Sequence, residues 1–159
     1  AAAGIRVVTL PDNRWGRVDI KTVGLLPNVL ARQQAREAGA GEAWLVDAAG
    51  MVTEGAATNA WIVTQDGTIV TRHADAGILR GVTRTTLLDV AAKLGLTVEE
   101  RPFTVDEAKA AAEAFISGAV TVVTPVVAID GAPVGDGRPG KVARTLRATF
   151  LDIAEKLPA

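Results

Sequence analysis

Lys21 lies in Asp19-Ile20-Lys21-Thr22-Val23-Gly24-Leu25-Leu26, with apolar residues crowding both sides. A lysine held among apolar neighbours loses part of its ammonium stability and can act as a nucleophilic amine. The alternative is a lysine whose stem lies along a strand edge while its head stays in water. Glu54 precedes Gly55-Ala56-Ala57-Thr58-Asn59, a run of small residues. Such residues let a flat ligand approach the backbone, and a carboxylate beside them can pair with a ring cation. The alternative is a solvated turn glutamate.

Two further segments could hold an anion. Leu79-Arg80-Gly81-Val82-Thr83-Arg84 offers a glycine, a hydroxyl and free N–H groups at a helix start. It could equally be an ordinary cap built on Thr83. Ser117-Gly118-Ala119-Val120 reads as a strand end opening into a turn of small residues, able to present backbone N–H groups as a nest. A β-bulge at Gly118 is the competing reading.

Other motifs carry less. Gly135-Asp136-Gly137-Arg138-Pro139-Gly140-Lys141 matches the start of a phosphate-binding loop. However, Val142 stands where the magnesium-binding hydroxyl belongs, and Pro139 removes an N–H. A turn entering the last helix explains it better. No Gly-x-Gly-x-x-Gly follows a strand. His73 reads as a solvated loop residue. Lys93, Lys109, Lys141 and Lys156 sit in or beside helices among polar neighbours, as surface lysines do.

The chain that must position these groups has 159 residues, 48% apolar and 22% charged, with a net charge of -1. That is one ordinary globular domain with a sizeable core, or two very small ones. Near-neutral charge leaves no footprint for nucleic acid. There is no cysteine and one histidine, so thiol chemistry is excluded and a His-cluster metal site or a Ser-His-Asp triad is unsupported. No apolar run spans a membrane and no signal peptide is visible, so a cytoplasmic protein is expected.

Strands are predicted over 5–10, 42–46 with 52–53, 59–64 with 68–71, 97–103, 114–117 and 120–129. The 42–53 and 59–71 pairs read as hairpins, the second turning at Asp66-Gly67. Helices are predicted over 25–38, 83–94 and 105–113, with a last one after Gly140 whose stripe is Val142, Leu146, Phe150, Ile153 and Leu157. Hairpins with interspersed helices predict an α+β fold with antiparallel or mixed sheets.

The order of the signals is informative. Asp19-Ile20-Lys21-Thr22, Leu25-Leu26-Pro27-Asn28-Val29-Leu30-Ala31, Glu37-Ala38-Gly39-Ala40, Thr53-Glu54-Gly55, Gly81-Val82-Thr83-Arg84, and Thr124-Pro125-Val126 with Asp130-Gly131 follow one another along nearly the whole chain. Together they resemble the large C-terminal domain of the fold-type IV pyridoxal-phosphate enzymes, most closely the D-amino-acid aminotransferases. Branched-chain aminotransferases usually show an Asn-Tyr pair after the lysine and a second glutamate before the asparagine of the Glu-Gly stretch. This chain has neither. Aminodeoxychorismate lyases are close relatives.

The resemblance implies an α+β fold of antiparallel or mixed sheets in a barrel-like arrangement flanked by helices. It implies a pyridoxal 5'-phosphate (PLP) cofactor in Schiff-base linkage to Lys21, the catalytic residue. Glu54 would face the pyridine nitrogen and Leu79 the ring. Gly81, Val82 and Thr83 would hold the phosphate on one side, and Ser117, Gly118, Ala119 and Val120 on the other. Small-molecule amino acids and 2-oxo acids would be the substrates and a homodimer the assembly. The family often has Ser or Thr at 118–120, so a hydroxyl contact is lost here. Residues 1–10 would be the end of an interdomain linker with the first strand, and 11–159 the PLP-binding large domain. By the same resemblance, the family's N-terminal small domain would be absent from this chain. The opening Ala1-Ala2-Ala3-Gly4, with Met51 as the only methionine, reads as part of a longer polypeptide. An isolated domain would bind PLP weakly, or persist as a non-catalytic fragment that retains the scaffold.

Overall fold

Local turn chemistry sets the hairpins. In the computed structural model, which describes residues 3–155, Gly67 takes φ +89° in the turn between β4 (Asn59–Val63) and β5 (Ile69–Thr71). Asp130 and Gly131 both have positive φ in the two-residue turn between β8 (Val122–Ile129) and β9 (Ala132–Pro133), which is the requirement of a type I′ hairpin. β2 (Glu42–Val46) and β3 (Val52–Gly55) pair antiparallel as expected.

Pairings at longer range were not legible. β1 (Ile5–Pro11) runs parallel to β2, with α1 (Leu26–Glu37) crossing between them. β5 is likewise parallel to β6 (Val98–Glu100), joined through α2 (Val82–Lys93). With β7 (Glu113–Gly118), the strands form one mixed nine-stranded sheet in the order β3-β2-β1-β8-β7-β4-β5-β6, with β9 beside β8. Its two ends are stitched together: the Val52 N–H donates to Phe103 O at 2.9 Å, and Met51 bridges Thr104. The sheet therefore curls into a barrel-like α+β fold. Val7, Trp44, Val52, Ile62, Val70, Phe103 and Ile116 fill its inner side. Outside, α2 and α4 (Lys141–Glu155) cover Trp61, Phe115 and Val123, while α1 covers Ala43 and Leu45. Leu157 and Lys156 lie outside the described residues.

One helix is shorter than its composition predicts. α3 (Val105–Lys109) begins at Thr104, whose hydroxyl accepts from the Glu107 N–H at 3.1 Å, but it ends well before Glu113. Two tertiary partners outweigh the helix propensity of the following alanines. The Ala112 N–H donates to Val63 O at 2.8 Å, and Glu113 pairs with Val63 in the sheet. The Glu113 carboxylate then accepts from the N–H groups of Val142 and Ala143, at 2.9 and 3.1 Å, capping α4 from another strand. A Cβ on Gly140 would overlap that carboxyl. Likewise, β6 stops short of the predicted strand end before Pro102, which has no N–H for a ladder. Glu113→Ala is expected to cost about 1–2 kcal/mol, as lost helix caps do, and so to lower the melting temperature by a few degrees. An unchanged melt would show that the cap contributes nothing.

Candidate active site

Glu54, the last residue but one of β3, is 4% exposed. The Leu79 N–H donates to both its oxygens, at 3.1 and 3.2 Å, and Asn59 Nδ2 donates to Oε2 at 3.0 Å. Arg14 Nη1 forms a charge-assisted contact with Oε1. Burial pushes the Glu54 carboxyl up to about 6, although Arg14 pulls the other way. Arg14 is itself held by Asp12 at 2.7 Å, and Asp12 accepts from the Thr53 hydroxyl at 2.8 Å. The chain Asp12–Arg14–Glu54 fixes the carboxylate on the side of Arg14. Sequence reasoning missed Arg14: it stands 40 positions from Glu54, and nothing local distinguishes it from a surface arginine.

Asn59 was also missed as a site residue, and it joins two segments. The same Nδ2 that meets Glu54 donates to Leu79 O at 2.9 Å. A Cβ on Gly81 would stand 2.6 Å from Asn59 Oδ1, so the backbone at 81 must be glycine for Asn59 to pack there. Gly81 is the N-cap of α2, in extended conformation, and no side chain caps the helix. Thr83 lies inside the helix and is not the cap. The first N–H groups of α2 therefore remain available to an anion, with the helix dipole behind them. Val82 is 83% exposed at this end, while Thr83 is buried.

Opposite, Ser117 pairs with Asn59 across β4 and β7. Its hydroxyl accepts from Trp61 Nε1 at 2.8 Å and is fully buried, so that side chain is already engaged. The register through Gly118 is regular, without a bulge. Ala119 is exposed and Val120 is 98% exposed at the tip of the turn. The small-residue turn 55–58 leans on this segment, with Ala57 O 3.5 Å from where a Cβ on Gly118 would stand. That turn is pinned by Asn28 Nδ2 on Ala56 O at 2.7 Å, and by the Thr58 hydroxyl on Glu42 at 3.2 Å.

Lys21 departs from expectation. It lies between β1 and α1, in neither a helix nor a strand, and it is exposed. Its apolar neighbours do not enclose it, for Val23 is 99% and Leu26 67% exposed. Apolar sequence around a residue predicts burial only where a sheet or helix covers it, and no element among the described residues covers this stretch. Two cavities of about 220 and 210 Å³ lie nearby, one beside Asp12 and Arg14, the other along α1. Neither of these two is lined by Lys21, Glu54 or Leu79.

The rejected loop is occupied by protein: Glu113 covers the N-terminus of α4, where a phosphate would have to sit. His73 is a half-exposed loop residue 3.2 Å from Asp75. No helix among the described residues is long and apolar enough to cross a membrane.

The amino-transferase class IV profile matches residues 1–129. A D-alanine aminotransferase of Listeria monocytogenes is 40% identical over 94% of this chain and 51% of its own length. One from Staphylococcus haemolyticus is 42% identical over 92% of this chain and 51% of its own. Among solved structures, a T.th. branched-chain amino acid aminotransferase with pyridoxamine 5'-phosphate superposes with a TM-score of 0.89, at 34% identity, over 99% of this chain and 53% of that one. The Escherichia coli branched-chain enzyme does so with a TM-score of 0.80, at 29% identity, over 94% and 52%. The chain spans about half the length of the relatives it matches. The match over residues 1–129, together with the curled sheet shared with these enzymes, shows that the chain belongs to the class IV aminotransferase family.

Proposed function

We propose that this chain is the cofactor-binding part of a PLP-dependent aminotransferase that exchanges the amino group between D-amino acids and 2-oxo acids, such as D-alanine and 2-oxoglutarate. The observation that carries it is Asn59, which ties the buried Glu54 to the free N-terminus of α2. PLP needs both: an anion for its ring nitrogen and N–H groups for its phosphate. Glu54, desolvated and neutralised only on the side of Arg14, favours a second cation beside it. The residues present fit the group.

When bound, PLP supplies an electron sink for the substrate α-carbon. Lys21 would hold the cofactor through its Nζ amine, and the same amine would move the proton at the substrate α-carbon. Glu54 holds the proton on the ring nitrogen. Leu79, its backbone fixed by Glu54 and Asn59, would meet the ring. The N–H groups of Val82 and Thr83, the Thr83 hydroxyl, and the backbone of Gly118, Ala119 and Val120 would hold the phosphate. A small N-terminal domain covers Lys21 together with Ile20, Val23, Leu25 and Leu26, whose exposed apolar surface supports a missing cover. The assembled enzyme works as a cytoplasmic homodimer.

The D-amino-acid reading is supported by relatives at 40–42% identity. Structural neighbours at 34% identity favour a second one, transamination of branched-chain amino acids. Incubating the chain with PLP, fixing with borohydride and mapping the added mass tests the cofactor. Label confined to Lys21 is expected; a colourless chain, or equal label on Lys93, overturns the reading. Pyruvate formed from D-alanine and 2-oxoglutarate, against turnover of L-leucine, separates the two substrate classes. A melting temperature that PLP does not raise points to a non-catalytic scaffold.

A further inference from the structure

The β7–β8 hairpin turns through Ala119, Val120 and Thr121, between the paired residues Gly118 and Val122. The residue that re-enters the second strand takes the left-handed conformation, which favours glycine. Here it is Val122, with φ +56°. A β-branched residue is strained there, because its side chain crowds its own backbone. Thr121 adds to the strain: its hydroxyl is buried without a hydrogen-bond partner among the described residues. Such a turn keeps its shape only when something outside it holds it.

That hold comes from α4. Arg147 Nη1 donates to Thr121 O at 2.6 Å and to Val123 O at 2.9 Å, the two carbonyls that flank Val122. The Thr124 hydroxyl also donates to Thr121 O, but from farther away, at 3.4 Å. A guanidinium is planar and permanently charged, so the Arg147 bonds are strong and insensitive to pH. The turn they fix begins at Ser117, across from Asn59, which packs on Gly81 at the start of α2.

We infer that Arg147 is a positioning residue for phosphate binding: by clamping the carbonyls on either side of the strained Val122, it holds the amides of Gly118, Ala119 and Val120 in the wall that faces the N-terminus of α2. This inference rests on the phosphate cradle proposed above. Arg147 touches no ligand and acts only through the turn.

The test titrates the chain with PLP and with pyridoxal, which lacks the phosphate, and compares the two affinities. The parent chain prefers PLP. Arg147→Ala lowers that preference about tenfold, the size expected for losing a charged hydrogen bond, and leaves pyridoxal affinity nearly unchanged. Val122→Gly, placed in the Arg147→Ala chain, restores the preference, because glycine takes the left-handed conformation without strain. A preference unchanged in Arg147→Ala overturns the inference. So does an equal loss of affinity for both ligands, which would mark a general effect on the fold. A parent chain with no preference for PLP would instead overturn the phosphate cradle itself.

Discussion

Lys21→Ala is expected to abolish the borohydride-fixed PLP adduct and to lower D-alanine transamination by about 10²–10⁴-fold, the loss that follows removal of a proton-transfer group. The other lysines whose surroundings are described lie on other elements. Lys109 is paired with Asp130 at 3.0 Å, Lys141 sits at the start of α4, and Lys93 ends α2. Because Lys21 is exposed and outside every element, the variant's melt without PLP should stay within about 0.5 kcal/mol of the parent. A small alkylamine added to the assay should recover part of the rate, since only an amine is missing. A Lys21→Ala chain that still forms the adduct would remove Lys21 from the chemistry.

Glu54→Gln should reduce transamination about 10²-fold, as loss of one preorganised electrostatic partner does. It should also leave a signature without any cofactor. Burial raises the Glu54 carboxyl from 4.5 to about 6. The folded chain therefore binds this proton more tightly than the unfolded chain. The resulting stability is fully present below pH 4.5 and is lost as pH rises through about 6, a change of about 2 kcal/mol. Thermal melts between pH 4.5 and 7 should show this decline in the parent and much less of it in Glu54→Gln. Glu42, also raised by burial, keeps a decline of the same sign in both chains. Asp12 acts in another window: burial works to raise it, but Arg14 and Thr53 hold it below 3.8, so its contribution is lost only as pH falls. PLP should then stabilise the parent more at pH 8 than at pH 5, because the ionised Glu54 pairs with the ring cation. Equal pH slopes in parent and variant would show that Glu54 does not titrate as its burial requires.

The same division between near and far contacts separates what could be read in the chain from what could not. Turns and most helices depend on neighbours a few positions apart. Asp66-Gly67 and Asp130-Gly131 turn their hairpins through adjacent residues, and α1 and α2 begin and end within a residue or two of their apolar pattern. Glu54 and the 79–84 segment were legible because small residues and a glycine helix start are local features. The partners of Glu54 were not, since Arg14 reaches it across 40 positions. Nor was the pairing of β1 with β8, secured where Asp130 accepts from the Thr9 N–H at 2.7 Å across 121 positions. Glu113 shows both sides: its alanine-rich neighbours favour helix, yet a strand partner and the open end of α4 claim it. Residue types and turns are written locally, so the sequence alone determined the family and the candidate acid. Which cation faces that acid, which arginine braces the strained turn, and whether Lys21 is covered were decided only when the sheet curled and brought distant segments together.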